Sequence, residues 1–411
     1  MTFEELYRRV LKDRVRGKET GGKFSRKKLD CLLHPEKYPL VWKNEPCDCT
    51  DAKCVTACMF KALEIQDGKV KLNPDNCTGC ARCIEACENK NLTFSHDAIK
   101  AVEILKTSDK PVYALMAPAY IGQFGENATP GKIRSALKGM GFTGMIEVAA
   151  FADILTLKES LEFCANMEKK EGFQLTSCCC PIWISMIRKD FQKIAGHLPA
   201  SVSPMIACGR IAKKLHEGCK TVFVGPCLAK KAEIREPDLV GDIDCVLTFE
   251  ELQDIFKALE VDFSGMEEDE NEHSAAAGRM YARTGGVSRA VKECVNSIEK
   301  NYELKPVCAC GVPNCKQMLQ SILDGKADGN FFEGMACDGG CVGGPKGNIK
   351  KDIATAFVDA YVDEAKYRTP GENPYVIDLI QRLGFRTVED FIENSHILTR
   401  DLLASAPQKN S

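Results

Sequence analysis

Twenty-three of the 411 residues are cysteine, and many of them stand in short groups with regular spacing. Cys77-Thr-Gly-Cys80-Ala-Arg-Cys83-Ile-Glu-Ala-Cys87 runs C-x2-C-x2-C-x3-C. Thiolates this close grip three corners of a 4Fe–4S cube, and the fourth cysteine commonly crosses to a second cube. Upstream, Cys47, Cys49, Cys54 and Cys58 run C-x-C-x4-C-x3-C, with the same final spacing and a different start. Met59 and Glu88 stand where proline commonly follows such sets. With crossing, one cube takes Cys47, Cys49, Cys54 and Cys87, and the other takes Cys77, Cys80, Cys83 and Cys58. A structural zinc is the alternative reading of C-x2-C pairs. Eight cysteines in two sets that both end in x3 favour clusters.

Three later segments extend the metal chemistry. They are Thr176-Ser-Cys-Cys-Cys-Pro-Ile-Trp183, Val224-Gly-Pro-Cys-Leu-Ala-Lys-Lys-Ala-Glu233 and Glu333-Gly-Met-Ala-Cys-Asp-Gly-Gly-Cys341. Four cysteines from three distant loops suit a buried cube, and Gly339-Gly340 permits close backbone approach. In this order the segments resemble the three signature motifs of the catalytic domain of iron-only (FeFe) hydrogenases. The resemblance extends over residues 45–350, and the triple cysteine is similar to the less-studied branch called group B.

The resemblance implies a specific site. Cys180, Cys227, Cys337 and Cys341 would bind a 4Fe–4S cube. Cys341 would bridge to a two-iron unit carrying carbonyl, cyanide and dithiolate ligands, the H-cluster. Lys230 would donate a charge-assisted hydrogen bond to one cyanide, and Ser203 would donate to the other. Met335 would pack against the two-iron unit. Ala117, Pro118, Pro204 and Pro226 would line the cluster pocket. The triplet admits two alignments. Anchoring on Thr176-Ser177 makes Cys178 the proton carrier and Cys179 the ligand. Anchoring on Pro181-x-Trp183 makes Cys179 the carrier and Cys180 the ligand, and it needs no gap before Ser203-Pro204. The second is preferred, which leaves Cys178 without a role.

Proton supply bears on the same alignment. Residues Ala152–Lys170 read as a helix with Ile154, Leu157 and Leu161 on one buried face. Glu159 and Glu162 are neighbours at i and i+3, the spacing of the two glutamates in the family's proton path. Glu159 would lie nearer Cys179, and Glu162 nearer solvent. A solvated acidic face is the alternative reading. Pro199 stands near the place of the path's serine, for which Ser201 or water is the substitute. Gly225, Met205 and Gly343-Gly344-Pro345-Lys346 also depart from the family pattern around the pocket. Cys308, Cys310 and Cys315 resemble an ordinary structural segment and are not recruited.

The elements that must hold these groups divide the chain into four. Residues 1–43 form a basic N-terminal segment, with 12 Lys and Arg against 6 Asp and Glu. Its helix over Met1–Arg16 is read as a solvated surface helix, or alternatively as a docking patch for an acidic redox partner. Residues 44–105 form a small α+β ferredoxin-like domain with two clusters supplying the core it otherwise lacks. Residues 106–350 form an α/β H-cluster domain of two lobes with largely parallel sheets and flanking helices. There, β-leaning runs such as Val112–Leu115, Met145–Val148, Thr221–Val224 and Lys305–Val307 alternate with helix-length stretches. Residues 351–411 form a C-terminal helical extension.

A net charge of −3 argues against nucleic acid or an anionic membrane as the main partner. No signal-peptide pattern or membrane span is visible, so a reduced, cytoplasmic, anaerobic setting is expected rather than a disulfide framework. The expected function is interconversion of protons and electrons with dihydrogen. Expected partners are a ferredoxin or similar carrier and the maturation enzymes of the H-cluster. The rivals are a hydrogen-sensing or low-turnover homologue and a non-catalytic iron–sulfur assembly factor lacking the two-iron unit.

Overall fold

The computed structural model describes residues 2–22, 24–44, 49, 51–170, 172–176, 178–271, 273–298 and 301–402. Cys47, named above as a cluster ligand, and Ser177 lie outside the described residues. The chain opens with α1 (Phe3–Val15), where Thr2 and Glu5 cap each other's backbone reciprocally. Phe3, Leu6, Tyr7, Val10 and Leu11 turn one face into the main core. The expected helix is present, but it is docked along that face rather than solvated.

The cysteine-dense stretch is built twice. Strands β1 (Val41–Lys43), β2 (Leu63–Gln66), β3 (Lys69–Leu72) and β4 (Leu92–Phe94) make two antiparallel pairs, β1 with β4 and β2 with β3. One-turn helices α2 (Lys53–Thr56) and α3 (Arg82–Glu85) lie between them. The halves are offset by 29 residues, from Cys54 to Cys83 and from Cys58 to Cys87. Ala52 and Ala81 are both left-handed at the helix starts, and Lys61 and Lys90 are both left-handed beyond the last cysteines. Asp48 and Asp51 stand at the offsets of Cys77 and Cys80, so the first half lacks those thiols in sequence and hides the repeat.

Two parallel sheets follow. The first has order β6-β5-β8-β9, formed by β5 (Val112–Met116), β6 (Gly144–Glu147), β8 (Lys220–Gly225) and β9 (Cys245–Thr248). The second has order β10-β11-β7, formed by β7 (Gln174–Leu175), β10 (Pro306–Cys310) and β11 (Phe331–Met335). Strands covered on both faces read as continuous apolar runs, and this is why the β-leaning runs marked them. The architecture is the α/β, largely parallel class expected.

Four helices position the site: α4 (Val148–Glu168), α5 (Pro181–Asp190), α6 (Pro204–Leu215) and α7 (Phe249–Ala258). Proline at the first turn of α5 and α6 costs no hydrogen bond there. The expectation of one buried face on α4 needs correction. Val148 to Thr156 are buried without a break, while Leu157 and Leu161 are only partly covered. The helix runs through the core rather than along it, so its polar residues are buried too. α8 (Lys351–Asp363) packs Ala354, Val358, Tyr361 and Val362 into the same core. Beyond it, Leu398 and Thr399 return to cover Val202 and Ser201.

Candidate functional site

Trp183 sets the geometry of the cysteine triplet. Its ring is fully buried, and its indole Nε1 donates to the backbone oxygen of Thr176 at 2.6 Å. Gly334 of β11 lies flat against that ring, where any Cβ would collide with it. Thr176 N also donates to Phe332 O of β11 at 2.9 Å. The triplet is thereby pinned at both ends, by β11 and by the start of α5.

From this loop Cys179 lines a mostly apolar cavity, together with Cys227 and Cys341. Ala117, Pro118, Pro204, Pro226 and Met205 supply apolar wall, and Lys230 is the one charged side chain lining it among the described residues. Burial opposes the Lys230 charge, but Glu233 outweighs it and holds the ammonium pKa above its ordinary value. Glu233 Oε2 accepts from Lys230 Nζ at 2.6 Å, and both side chains are buried. Cys180, Cys227 and Cys341 are electrostatic neighbours of Cys337. Gly340 (φ 93°) and Gly344 let the last loop press against Thr284 and Pro226, where a Cβ would not fit.

Ser203 and Met335 do not line the cavity. The Ser203 hydroxyl accepts from Ile206 N at 3.4 Å and caps α6. Met335 is buried at the end of β11, in register with Cys310. Tyr281 does line the cavity, although nothing in its local spacing marks it in the sequence. Its hydroxyl donates to Thr156 Oγ1 at 3.0 Å, leaving the Thr156 hydroxyl to donate to Ala152 O.

Glu159 and Glu162 sit at the inner and outer ends expected, but the thiol that Glu159 contacts is a different one. Glu159 is fully buried and contacts Thr176 Oγ1 and Cys178 Sγ, the latter at 3.3 Å, rather than Cys179. Burial raises its carboxyl to about 7, against the hydrogen bonds from Thr176 and Cys178 that lower it. Cys178, left without a role by the sequence, is therefore the thiol beside the acid. Glu162 is partly exposed and is paired to the buried Lys158, whose Nζ also reaches Ser201 Oγ at 3.1 Å.

A second apolar cavity lies in the cysteine-dense stretch. Cys58, Cys77, Cys80 and Cys83 line it, with Phe60, Leu63 and Leu72 among its apolar walls. This is the thiol set that ligand crossing requires for one cube. Of the other set, Cys54 and Cys87 are buried and Cys49 accepts from Asn89 Nδ2 at 3.0 Å. Gly79 (φ 72°) brings this region against the larger one, since a Cβ there would stand 2.9 Å from Ala229 Cα. Cys80 is an electrostatic neighbour of Cys337 across that seam.

The model of the family described as iron only hydrogenase large subunit, C-terminal domain, matches residues 110–345. The chain belongs to this family. The NADP-reducing hydrogenase subunit HndD of Solidesulfovibrio fructosivorans is 26% identical over 79% of this chain and 66% of that one. The cytosolic Fe-S cluster assembly factor NAR1 homolog of Schizosaccharomyces japonicus is 24% identical over 49% of this chain and 46% of that one. The structure of a single-residue variant of [FeFe]-hydrogenase HydA1 from Chlamydomonas reinhardtii shares the fold. Its TM-score is 0.62 at 20% identity, over 75% of this chain and 99% of that one. The chain spans 58–69% of the length of the three hydrogenase relatives first matched. Among the described residues no helix is long and apolar enough to cross a membrane.

In this hydrogenase-family chain Cys308, Cys310 and Cys315 find other contacts. Cys308 meets Ser288 Oγ at 3.5 Å, Cys310 meets Asp338 Oδ1 at 3.5 Å, and Cys315 donates to backbone oxygens. These contacts fit packing and hydrogen bonding, not a shared ion.

Proposed function

We propose that the chain is an FeFe hydrogenase of the three-cysteine, group B type, interconverting two protons and two electrons with dihydrogen. The observation that carries this reading is the cavity into which Cys179, Cys227, Cys341 and a buried Lys230 ammonium all face. The donor set fits an H-cluster. Cys180, Cys227, Cys337 and Cys341 would hold the cube, Cys341 would bridge to the two-iron unit, and Lys230 would meet a cyanide. When bound, that group supplies the two-electron chemistry at iron.

The chain's own residues do the rest. Ala117, Pro118, Pro204 and Pro226 exclude water, which strengthens every charge interaction inside. Glu233 orients Lys230 and keeps it charged. Cys179 carries the proton at the cavity wall, and Glu159 supplies it through contact with Cys178. Glu162, tied to Lys158, lies at the solvent end. Ser203 would donate to a cyanide with its hydroxyl hydrogen, which capping α6 leaves free. In the ferredoxin-like region, residues 44–105, the two four-thiol sets would hold two clusters that would supply electrons, with the Gly79 seam joining this region to the larger one. A cytoplasmic ferredoxin-type carrier supplies those electrons, and maturation enzymes deliver the H-cluster.

A second reading, an iron–sulfur assembly factor, is favoured by the similarity to the NAR1 homolog. It leaves the buried Lys230 facing an apolar cavity without purpose. Infrared spectra of the fully matured protein test the choice. Carbonyl and cyanide stretching bands are expected, and their absence with the iron–sulfur clusters in place would transfer the assignment to the assembly factor.

A further inference from the structure

Neither cluster site accounts for a third cleft, of about 540 Å³, between α1, β4 and α7. Its size falls within the range of about 300–1,000 Å³ usual for small-molecule sites. Phe94, Thr93, His96 and Asn44 are among its lining, and Arg8, Lys90 and Lys257 stand around it on three different parts of the chain. Two of the lining groups carry buried polar atoms with no hydrogen-bond partner among the described residues: His96 Nδ1 and Asn44 Oδ1. His96 is 4% exposed, and its other nitrogen, Nε2, lies 3.1 Å from Glu4 Oε1. Nε2 is thus taken up by that carboxylate, and Nδ1 is left without a partner among the described residues. Glu251 Oε1 is 3.9 Å from that Nδ1, too far to bond it. Asn44 Oδ1 is an acceptor by its chemistry, and a buried polar atom left unmet costs about 1–3 kcal/mol.

The charges around the cleft point the same way. Glu4 is matched with His96, Glu250 with Lys346 at 2.9 Å, and Glu251 with Lys231 at 2.8 Å. Asp254 is the remaining carboxylate, against Arg8, Lys90 and Lys257, none of which has an ion pair within 4 Å among the described residues. A second cleft continues from this one, sharing Arg8, Asp254 and Lys257 and adding Lys12. An occupant needs anionic oxygens for the cations and hydrogen-bond donors for the floor. Arginine suits phosphate because its fork bonds two oxygens at once.

We propose that this cleft binds an organic phosphate, a phosphate ester whose hydroxyl or amino group donates to Asn44 and lies beside His96 Nδ1 while its phosphate meets Arg8, Lys90 and Lys257. The site joins α1, the segment after Cys87, α7 and the loop after Cys341, so its occupant ties the cluster-bearing region to the catalytic one. The assignment is independent of the hydrogenase reading.

Titration calorimetry on the full-length cluster-loaded protein tests it with ADP, ribose 5-phosphate and inorganic phosphate as probes. Saturable binding of ADP or ribose 5-phosphate is expected, with inorganic phosphate at least tenfold weaker for lack of donors. Which ester binds more tightly distinguishes a nucleotide from a sugar phosphate. Arg8→Ala and Lys257→Ala, at exposed positions where folding is not at risk, should each weaken binding at least tenfold. Asn44→Ala should weaken the organic ester and leave inorganic phosphate unchanged. Absence of saturable binding by either ester, inorganic phosphate equal to the esters, or affinities unmoved by Arg8→Ala and Lys257→Ala would each overturn the proposal.

Discussion

The two cysteine regions are assembled in opposite ways. In the smaller one, Cys77, Cys80 and Cys83 come from one turn of chain, and only Cys58 arrives from the other half of the repeat. In the larger one, each wall of the cavity belongs to a different loop, carried on β5, β8, α5 and α6 and on the segment after β11. Local spacing is enough to build the first. The second exists only when two parallel sheets and a buried helix are already packed. A set of neighbouring thiols can therefore be read residue by residue, whereas the contacts around Glu159 and Cys179 depend on which side chains the tertiary fold turns inward.

The strongest way to break this contrast is at the cavity wall. Cys179→Ala removes a thiol that faces the cavity and is not itself a proposed cluster ligand. Turnover should fall by about 10²–10⁴-fold, the range set by loss of a positioned proton carrier. Iron content and the carbonyl and cyanide bands should be unchanged. If iron is lost as well, Cys179 is a ligand and the triplet is shifted by one.

Glu159→Gln should act less strongly, by about 10²-fold, since water can partly replace a group one step from the cavity. The sign of its pH effects follows from burial. Its carboxyl is raised from 4.5 to about 7 in the folded protein. The folded state then holds the proton more tightly than the unfolded state. Glu159 adds stability that is fully present below about pH 4.5 and is lost as pH rises through 7, on the order of 3 kcal/mol in all. Denaturant titrations at pH 5 and pH 8 should therefore differ less in Glu159→Gln than in the parent. The inflection of turnover near pH 7 should vanish with it.

Much of the site is legible in sequence, and the residues that are not share a cause. The Pro181-x-Trp183 anchor places Cys179 rather than Cys178 toward the cavity because Trp183 physically pins the loop. The apolar runs of β5 and β8 mark parallel strands because both of their faces are covered. Glu159 is recognisable, yet its neighbour is not, because a period of 3.6 residues fixes the face of a helix and not what packs on that face. α4 is buried nearly all round in its first half, so its residues show no single inward stripe to follow. Tyr281 and the Lys158–Ser201 contact join residues 125 and 43 positions apart, and no local pattern encodes such meetings. Ser203 belongs near the cavity by resemblance, yet it caps α6 and does not line the cavity.

Cys178 offers a finer test of the same lesson. If the tertiary contact with Glu159 at 3.3 Å matters for delivery, Cys178→Ala should slow turnover by roughly tenfold, less than Glu159→Gln because water can enter the space of a thiol. Cys178→Ser, which keeps a donor and acceptor in place, should recover most of the rate. Equal rates for the alanine variant and the parent would make Cys178 a packing residue and return Glu159 to direct service of Cys179.

The smallest expected effect lies where the two regions meet. Gly79 adopts a φ of 72° and stands against Leu40 and the backbone of Ala229. Gly79→Ala has to place a Cβ in left-handed backbone, at about 1–2 kcal/mol, and must also push Ala229 away. Gly79 belongs to the Cys77–Cys83 turn, whose short chain holds its own left-handed backbone at Gly79 and Ala81, so Ala229 is the side that gives way. Because Ala229 follows Cys227 by two residues, the movement is passed to that loop. Denaturant unfolding should show a loss of about 1–3 kcal/mol, and turnover should drop no more than a few-fold. The spectrum of the cluster in the smaller region should stay as it was, while the carbonyl and cyanide bands shift. A shift in the relay cluster alone would mean that the local cage is the softer of the two, and the contrast between a self-sufficient cage and an assembled cavity would be reversed.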